Sequence, residues 1–290
     1  MLDTKEKINQ WLIDVGITKY TIHKDLTVDV DESVDLSDLN LEKIPVQFGE
    51  VNGYFNCSNN KLINLKGSPG KIKGGFKCQN NELISLEGAP LEIPGFFSCE
   101  YNLLETLEDG PEIIEDYFYC SDNRLKSLKG CARKIGKGLD CSNNRLVNLI
   151  GCPEKITGYL KCHNNKIISL EGAPEEIGKN FDCSSNKLKN LKFAPKKIGG
   201  DFNCSYNKLK NIKNLPEKIG GALKLKGNNI DVLTLRFFNS LIGDYIASDF
   251  GNQKEFFDIV KQQKAFHERE KLITAMKVVE DFSPIEKRRI

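Results

Sequence analysis

Ten cysteines are the residues of this chain with the most chemistry open to them, since a thiolate can attack a carbonyl, hold a metal or close a disulfide. Their spacing argues against all three. Cys57, Cys78, Cys99, Cys120, Cys141, Cys162, Cys183 and Cys204 stand 21 residues apart without insertion or deletion, and Cys131 and Cys152 share a second column at the same interval. One catalytic cysteine has no use for seven evenly spaced copies. Neither a CxxC pair nor a Cys/His cluster of zinc-ligand spacing occurs. Coils stacked at this period would hold successive cysteines ~4.8 Å apart with parallel side chains, further than the ~3.8 Å between Cβ atoms that suits a disulfide. The expectation is a set of free thiols serving as small core hydrophobes.

Other catalytic signals are weak. Of the three histidines, His23 lies near the N-terminus, His163 lies beside a repeat cysteine, and His267 sits in HERE, which lacks the second histidine of a zinc-protease helix. The stretch GSPGK from Gly67 falls short of a phosphate-binding loop, and the Gly pairs at 74, 199 and 220 are repeat turns. These features point away from an enzyme, a metal site or a cofactor. The net charge of +2 says little about partners. The opening residues MLDTKEKINQ lack the apolar core of a signal peptide, and no stretch reaches the ~18 apolar residues of a membrane span, so a cytoplasmic location is expected.

Around each cysteine the other columns recur at the same interval. An apolar residue precedes it by two (Phe55, Phe76, Phe97, Phe118, Leu139, Leu160, Phe181, Phe202), and asparagine follows it by three (Asn60 through Asn207). Aliphatics follow at five and eight, as in Leu62 and Leu65, and a Pro column and an Ile column close the unit. A fixed period in this range is the signature of a solenoid. Phe-x-Cys has the two-residue alternation of a strand, so each copy should add one short parallel strand. The asparagine can bond backbone groups left unpaired where the chain leaves the strand, repeating as a ladder.

The ends depart from the period. Residues 1–33 read as a cap, with a helix starting at Asp3 and Glu6 and stopping at Gly16, then a hairpin turning at Lys24 and Asp25. Residues 34–233 form the array of about ten coils, the first imperfect because Leu39 replaces the asparagine. Residues 234–290 read as a helical C-terminal cap.

In such an array, function is written where copies differ, at the outward positions flanking Phe and Cys. From Glu92 to Asn123 there are nine acidic residues and no Lys or Arg, and outward Phe96, Tyr117 and Tyr119, with Glu100 and Tyr101, fall in the same coils. Tyr159, Lys161 and His163 continue the face. Exposed aromatics ringed by charge mark a protein-binding surface. The competing structural reading is a tyrosine ladder that merely stacks on itself to cover strands. From Lys187 to Lys226 eleven lysines stand against Asp201 and Glu217, which could follow a phosphate backbone, though no arginine is among them. Another protein is the expected partner, and nucleic acid binding the lesser alternative.

The pattern xxxFxCxxNxL over residues 34–233 resembles the leucine-rich repeat, in which a parallel strand lines the concave face of each coil and the convex side is short and irregular. LEGAPEEIGKNFDCSSNKL, from Leu170, is similar to short repeats of tailed phages and some bacteria. That resemblance implies a phage or bacterial origin; on a phage origin the expectation is an accessory protein that engages a host protein, such as a defence component, in the host cytoplasm, with a structural protein of the virion as the main alternative.

Overall fold

The computed structural model describes residues 1–230 and the two-residue strand Ile246–Ala247. The helix α1 (Lys5–Asp14) opens the chain. Its N-cap is Thr4, not Asp3: Thr4 has the extended backbone a cap requires, and its hydroxyl accepts from Lys7 N–H at 3.3 Å. Asp3 sits one residue too early and pairs with the Lys7 ammonium instead, at 2.8 Å. Gly16 stops the helix as expected. It takes φ +78°, its N–H donates to Ile13 O, and the Ile17 N–H donates to Leu12 O. These two bonds form a Schellman motif, sealed by the burial of Ile17 and Leu12.

The hairpin follows as β1 (Tyr20–Ile22) and β2 (Thr27–Val30), antiparallel with Tyr20 opposite Val30. β3 (Val34–Asp35) then begins the first Phe-x-Cys-type strand, and β4 (Gln47–Val51), β5 (Phe55–Asn56) and β6 (Lys71–Ile72) show how every later coil is built. β3 and β5 pair in parallel, with Val34 opposite Phe55. The same pairing continues in 21-residue steps through Leu223–Lys224 and ends on Ile246–Ala247, giving one eleven-stranded parallel sheet.

The Ile column does more than close the unit. It forms a second ladder interrupted into three sheets: β2 pairs in parallel with β4 and β4 with β6, the strands from Glu92–Ile93 to Lys134–Ile135 pair in a second sheet, and those from Lys155–Ile156 to Lys218–Ile219 in a third. These coils thus carry two short strands each, joined by irregular chain. The hairpin joins the array directly, because β2 pairs in parallel with β4. The expected C-terminal helices lie outside the described residues; within 234–290 only Ile246–Ala247 is described, and it is strand.

Both ladders face one continuous core. Phe55, Phe76, Phe97, Phe118, Phe181 and Phe202 are fully buried, with successive rings at 5.2 Å (Phe55 and Phe76) and 5.4 Å (Phe97 and Phe118). Contacts of this kind add about 0.5–1.5 kcal/mol each beyond simple burial. The eight cysteines of the main column are buried beside them, and all ten are free. Several thiols donate to the carbonyl of the next coil, Cys78 Sγ to Ser98 O at 3.3 Å and Cys141 Sγ to Lys161 O at 3.3 Å. Burial pushes every one of these thiols far above its ordinary pKa.

The asparagine column ties coil to coil as expected. Asn123 Nδ2 donates to Cys99 O at 2.9 Å in the preceding coil and to Cys120 O and Ser121 O in its own, while its Oδ1 accepts from Leu104 N–H at 3.0 Å. Asn60 and Asn207 make the equivalent bonds near the two ends of the array. Each side chain thereby satisfies backbone groups that neither ladder can reach. Leu39, standing at this position in the first coil, is partly exposed and cannot serve that role.

Candidate functional site

The outward positions of the front sheet fall into two kinds of coil. In the first kind the residue before the cysteine column is Asp or Asn and the residue after it is Ser. Asp35, Asn56, Asp140, Asp182 and Asn203 accept the backbone N–H of that serine at 2.9–3.2 Å, and four of them accept its hydroxyl as well. Such Asx turns satisfy the local polar groups within the coil. The second kind carries Lys77 with Gln79, Ser98 with Glu100, Tyr119 with Ser121, Lys161 with His163 and, flanking Leu225 at the end of the array, Lys224 with Lys226. The first three are consecutive coils, and Lys161 with His163 follows after one interruption at Asp140. The Asp/Asn-Cys-Ser signature is visible in the sequence, and its loss is the signal that would have added Lys77 and Gln79 to the candidate set.

Above these coils the aromatics organise themselves. Tyr117 stacks on Tyr119 at 5.8 Å and on Tyr159 at 5.6 Å, with interplanar angles of 27° and 21°. Tyr159 belongs to the second coil beyond Tyr117, and the two rings meet because Gly138 lies between them; a Cβ there would stand 3.0 Å from Tyr159 O and 3.2 Å from its ring. Lys161 lies over the Tyr159 ring at 4.8 Å and Lys137 over Tyr117 at 5.4 Å. Burial, reinforced by a hydrogen bond with Tyr119, pushes the Tyr159 phenol well above its ordinary range.

Phe96 leans the other way, covering Gly75, where a Cβ would stand 2.7 Å from its ring, under the Lys77 ammonium at 5.8 Å. Phe96, Tyr117, Tyr119 and Tyr159 are therefore half-buried rather than freely exposed. Self-stacking and lysine cover account for it.

Glu100 accepts the Ser98 hydroxyl at 2.6 Å, and Ser98 also donates to Gln79. Burial pushes the Glu100 carboxyl above the ordinary glutamate range; the Ser98 bond opposes this, and the charges of Asp140 and Asp122 add to the rise. Lys161 is shared between Tyr159 and Asp140, whose carboxylate it meets at 3.3 Å. His163 is half-buried one residue beyond Cys162. Tyr101 is 58 % exposed and holds φ +52°, a left-handed conformation that Asn59, Asn80 and Asn143 occupy in other coils. The structure thus brings Glu100, Tyr117, Tyr119, Tyr159, Lys161 and His163 onto one stretch of the front sheet, with the Leu139–Asp140 strand between the Tyr119 and Lys161 strands, Tyr101 following Glu100, and Phe96 apart over Gly75.

The long acidic stretch is not an acidic surface. Each of five of its carboxylates meets a cation of the following coil: Glu105 with Lys126 at 2.6 Å, Glu108 with Lys129 at 2.8 Å, Glu112 with Arg133 at 3.5 Å, Glu115 with Lys134 at 2.7 Å and Asp116 with Lys137 at 2.7 Å. Charges segregated along the chain become neighbours once 21 residues equal one coil. The lysine-rich segment is partly answered likewise, since Lys196 pairs with Glu175, Lys197 with Glu176 and Lys224 with Asp201.

Among the described residues no group of three or more His, Cys, Asp or Glu side chains is placed to hold a metal ion, and no helix is long and apolar enough to cross a membrane. No protein-family model and no curated protein matches the chain. Among solved structures it is similar to YopM, a leucine-rich effector protein from Yersinia pestis, with a TM-score of 0.49 at 21% identity over 75% of this chain and 70% of that one. It is also similar to YopM from Yersinia enterocolitica WA-314, with a TM-score of 0.40 at 17% identity over 74% of this chain and 63% of that one. The 21-residue coil, the parallel strand ladder and the buried asparagine column give this chain the fold of a leucine-rich-repeat solenoid.

Proposed function

We propose that the chain is a non-enzymatic scaffold that binds another protein through its front sheet, between Lys77 and His163. The observation that carries this is the local loss of the Asp/Asn-Cys-Ser turns. Where that motif stands, the strand face satisfies its own polar groups; where Gln79, Glu100, Tyr119 and His163 replace it, the face presents long and chemically varied side chains. Stacked tyrosines held by Gly138 are stiffened before any partner arrives, which lowers the ordering cost of binding. The similarity of the repeats to those of tailed phages makes a bacterial host protein the partner to seek first.

The test is affinity capture from bacterial lysate with the native chain, with Tyr117→Ala/Tyr119→Ala/His163→Ala on the front sheet, and with Lys155→Ala/Lys218→Ala on the second ladder. A partner identified by mass spectrometry, lost with the first set and retained with the second, is the expected result. Equal capture by all three would sink the assignment to this face.

A further inference from the structure

Six residues after each cysteine, the coils expose a column that plays no part in the front sheet. Ile63, Ile84, Val147 and Ile168 in it are 50 %, 61 %, 45 % and 61 % exposed. They form two adjacent pairs, since Ile84 N–H donates to Ile63 O at 3.1 Å and Ile168 N–H to Val147 O at 3.0 Å. Between the pairs stand Glu105 and Lys126, joined at 2.6 Å with both side chains more than half exposed. Exposed Glu42 precedes the column and exposed Lys189 follows it. The neighbouring column, from Asn64 to Ser169, contains only Asn, Ser and Thr.

The order of residues along this column is its own complement when reversed. Inverted about the midpoint between Glu105 and Lys126, Glu105 faces Lys126, Ile84 faces Val147, Ile63 faces Ile168 and Glu42 faces Lys189. In the exposed column nine residues after the cysteine the inversion holds in part: Glu108 stands opposite Lys129 and Lys66 opposite Glu171, but Glu87 stands opposite Ile150. Four residues after the cysteine the match weakens, because Lys61 would face Lys166, which places that column at the edge of any contact. A surface shaped for an unrelated partner has no reason to carry this inversion. A two-fold axis lying in a contact plane, perpendicular to the stacking direction, maps each column onto itself in reverse.

We propose that two copies of this chain associate antiparallel through this column, about a two-fold axis between the coils of Glu105 and Lys126. Each copy then covers the exposed Ile63–Ile84 pair of the other with its Val147–Ile168 pair. From Glu42 to Lys189 the contact crosses seven coil steps of ~4.8 Å, about 34 Å in all. The front sheet stays open, so this association and the binding of a protein partner are independent.

Sedimentation of the full chain over a range of concentrations tests it. The native chain is expected to show a reversible dimer, and Ile84→Glu to dissociate it at least about tenfold more readily. Glu105→Lys and Lys126→Glu each place like charges across the axis and are expected to be monomeric, while an equimolar mixture of the two forms a heterodimer, counted by native mass spectrometry. Circular dichroism confirms that each variant is folded. A native chain that stays monomeric at every concentration overturns the proposal, as does a native dimer whose two charge variants fail to recover association on mixing.

Discussion

Tyr117 and Tyr159 stack at 5.6 Å across a full intervening coil, and they do so because Gly138 offers no side chain to separate them. The relationship joins residues 42 apart in the chain and depends on one missing methyl group. Gly138→Val would place atoms against the Tyr159 ring and carbonyl, forcing the rings apart while leaving the Phe and Leu core columns untouched. The near-UV circular dichroism of the tyrosines is expected to fall, with a stability loss of about 1 kcal/mol. An unchanged tyrosine signal would show that the stack does not form in solution.

The thiol column makes stability sensitive to alkali. Burial raises the cysteine pKa values in the folded chain, Cys131 being pushed up to about 12 and the main column also raised. An unfolded cysteine ionises near ~8.5, so above that pH the unfolded chain has released protons that the folded chain keeps. Their contribution is intact below ~8.5 and declines as pH rises, by up to ~1.4 kcal/mol per pH unit for each thiol. Urea unfolding under reducing conditions should show a clear loss between pH 7.5 and 9.5. In the native state at neutral pH the main-column cysteines should resist alkylation, and all ten should react once unfolded. Flat stability across that range, or disulfides in the purified chain, would contradict the buried-thiol arrangement.

Asn123 offers a sharp contrast between size and hydrogen-bonding capacity. Asn123→Asp keeps the shape but replaces a donor to three carbonyls with a carboxylate oxygen. The buried carbonyls of Cys99 and Cys120 lose that donor and face negative charge. A destabilisation of about 3 kcal/mol or more is expected in chemical unfolding. At exposed Asn143 the same change should matter less, because its side chain bonds only to surface side chains, donating to Asp122 at 3.2 Å and accepting from Asn164 at 3.0 Å.

How much of this was legible in the residues divides along one line. Columns that every coil shares announce themselves by repetition, so the Phe, Cys and Asn positions could be placed in the core before any coordinate was known. Features that depend on two coils at once could not. The Ile column became a second ladder because Glu92–Ile93 and Ile113–Ile114 pair across a 21-residue interval, which no single unit reveals. The acidic stretch from Glu92 lost its character for the same reason, its cations arriving one coil later. Among the candidate site residues, membership of a shared face followed from register, but the exposure of Tyr117 and Tyr159 turned on a glycine whose role is visible only when the coils are stacked.

Tyr101 separates stability from function. It occupies a left-handed backbone at φ +52° where Asn80 and Asn143 hold the same conformation at φ +55° and +53°, and asparagine tolerates that region far better than tyrosine. Tyr206 repeats the situation five coils later, at φ +53° and 54 % exposed. Either Tyr→Asn change should therefore stabilise the fold by about 1 kcal/mol. Tyr101 borders Glu100 and the stacked tyrosines, whereas Tyr206 lies beyond the Asp182 and Asn203 turns that close the strand face. Tyr101→Asn is expected to raise stability and weaken partner capture, and Tyr206→Asn to raise stability alone. Thermal melting paired with the capture assay reads both quantities on each variant. If Tyr101→Asn stabilises the chain and leaves capture intact, the strained backbone there has no bearing on binding, and the binding face ends at Glu100.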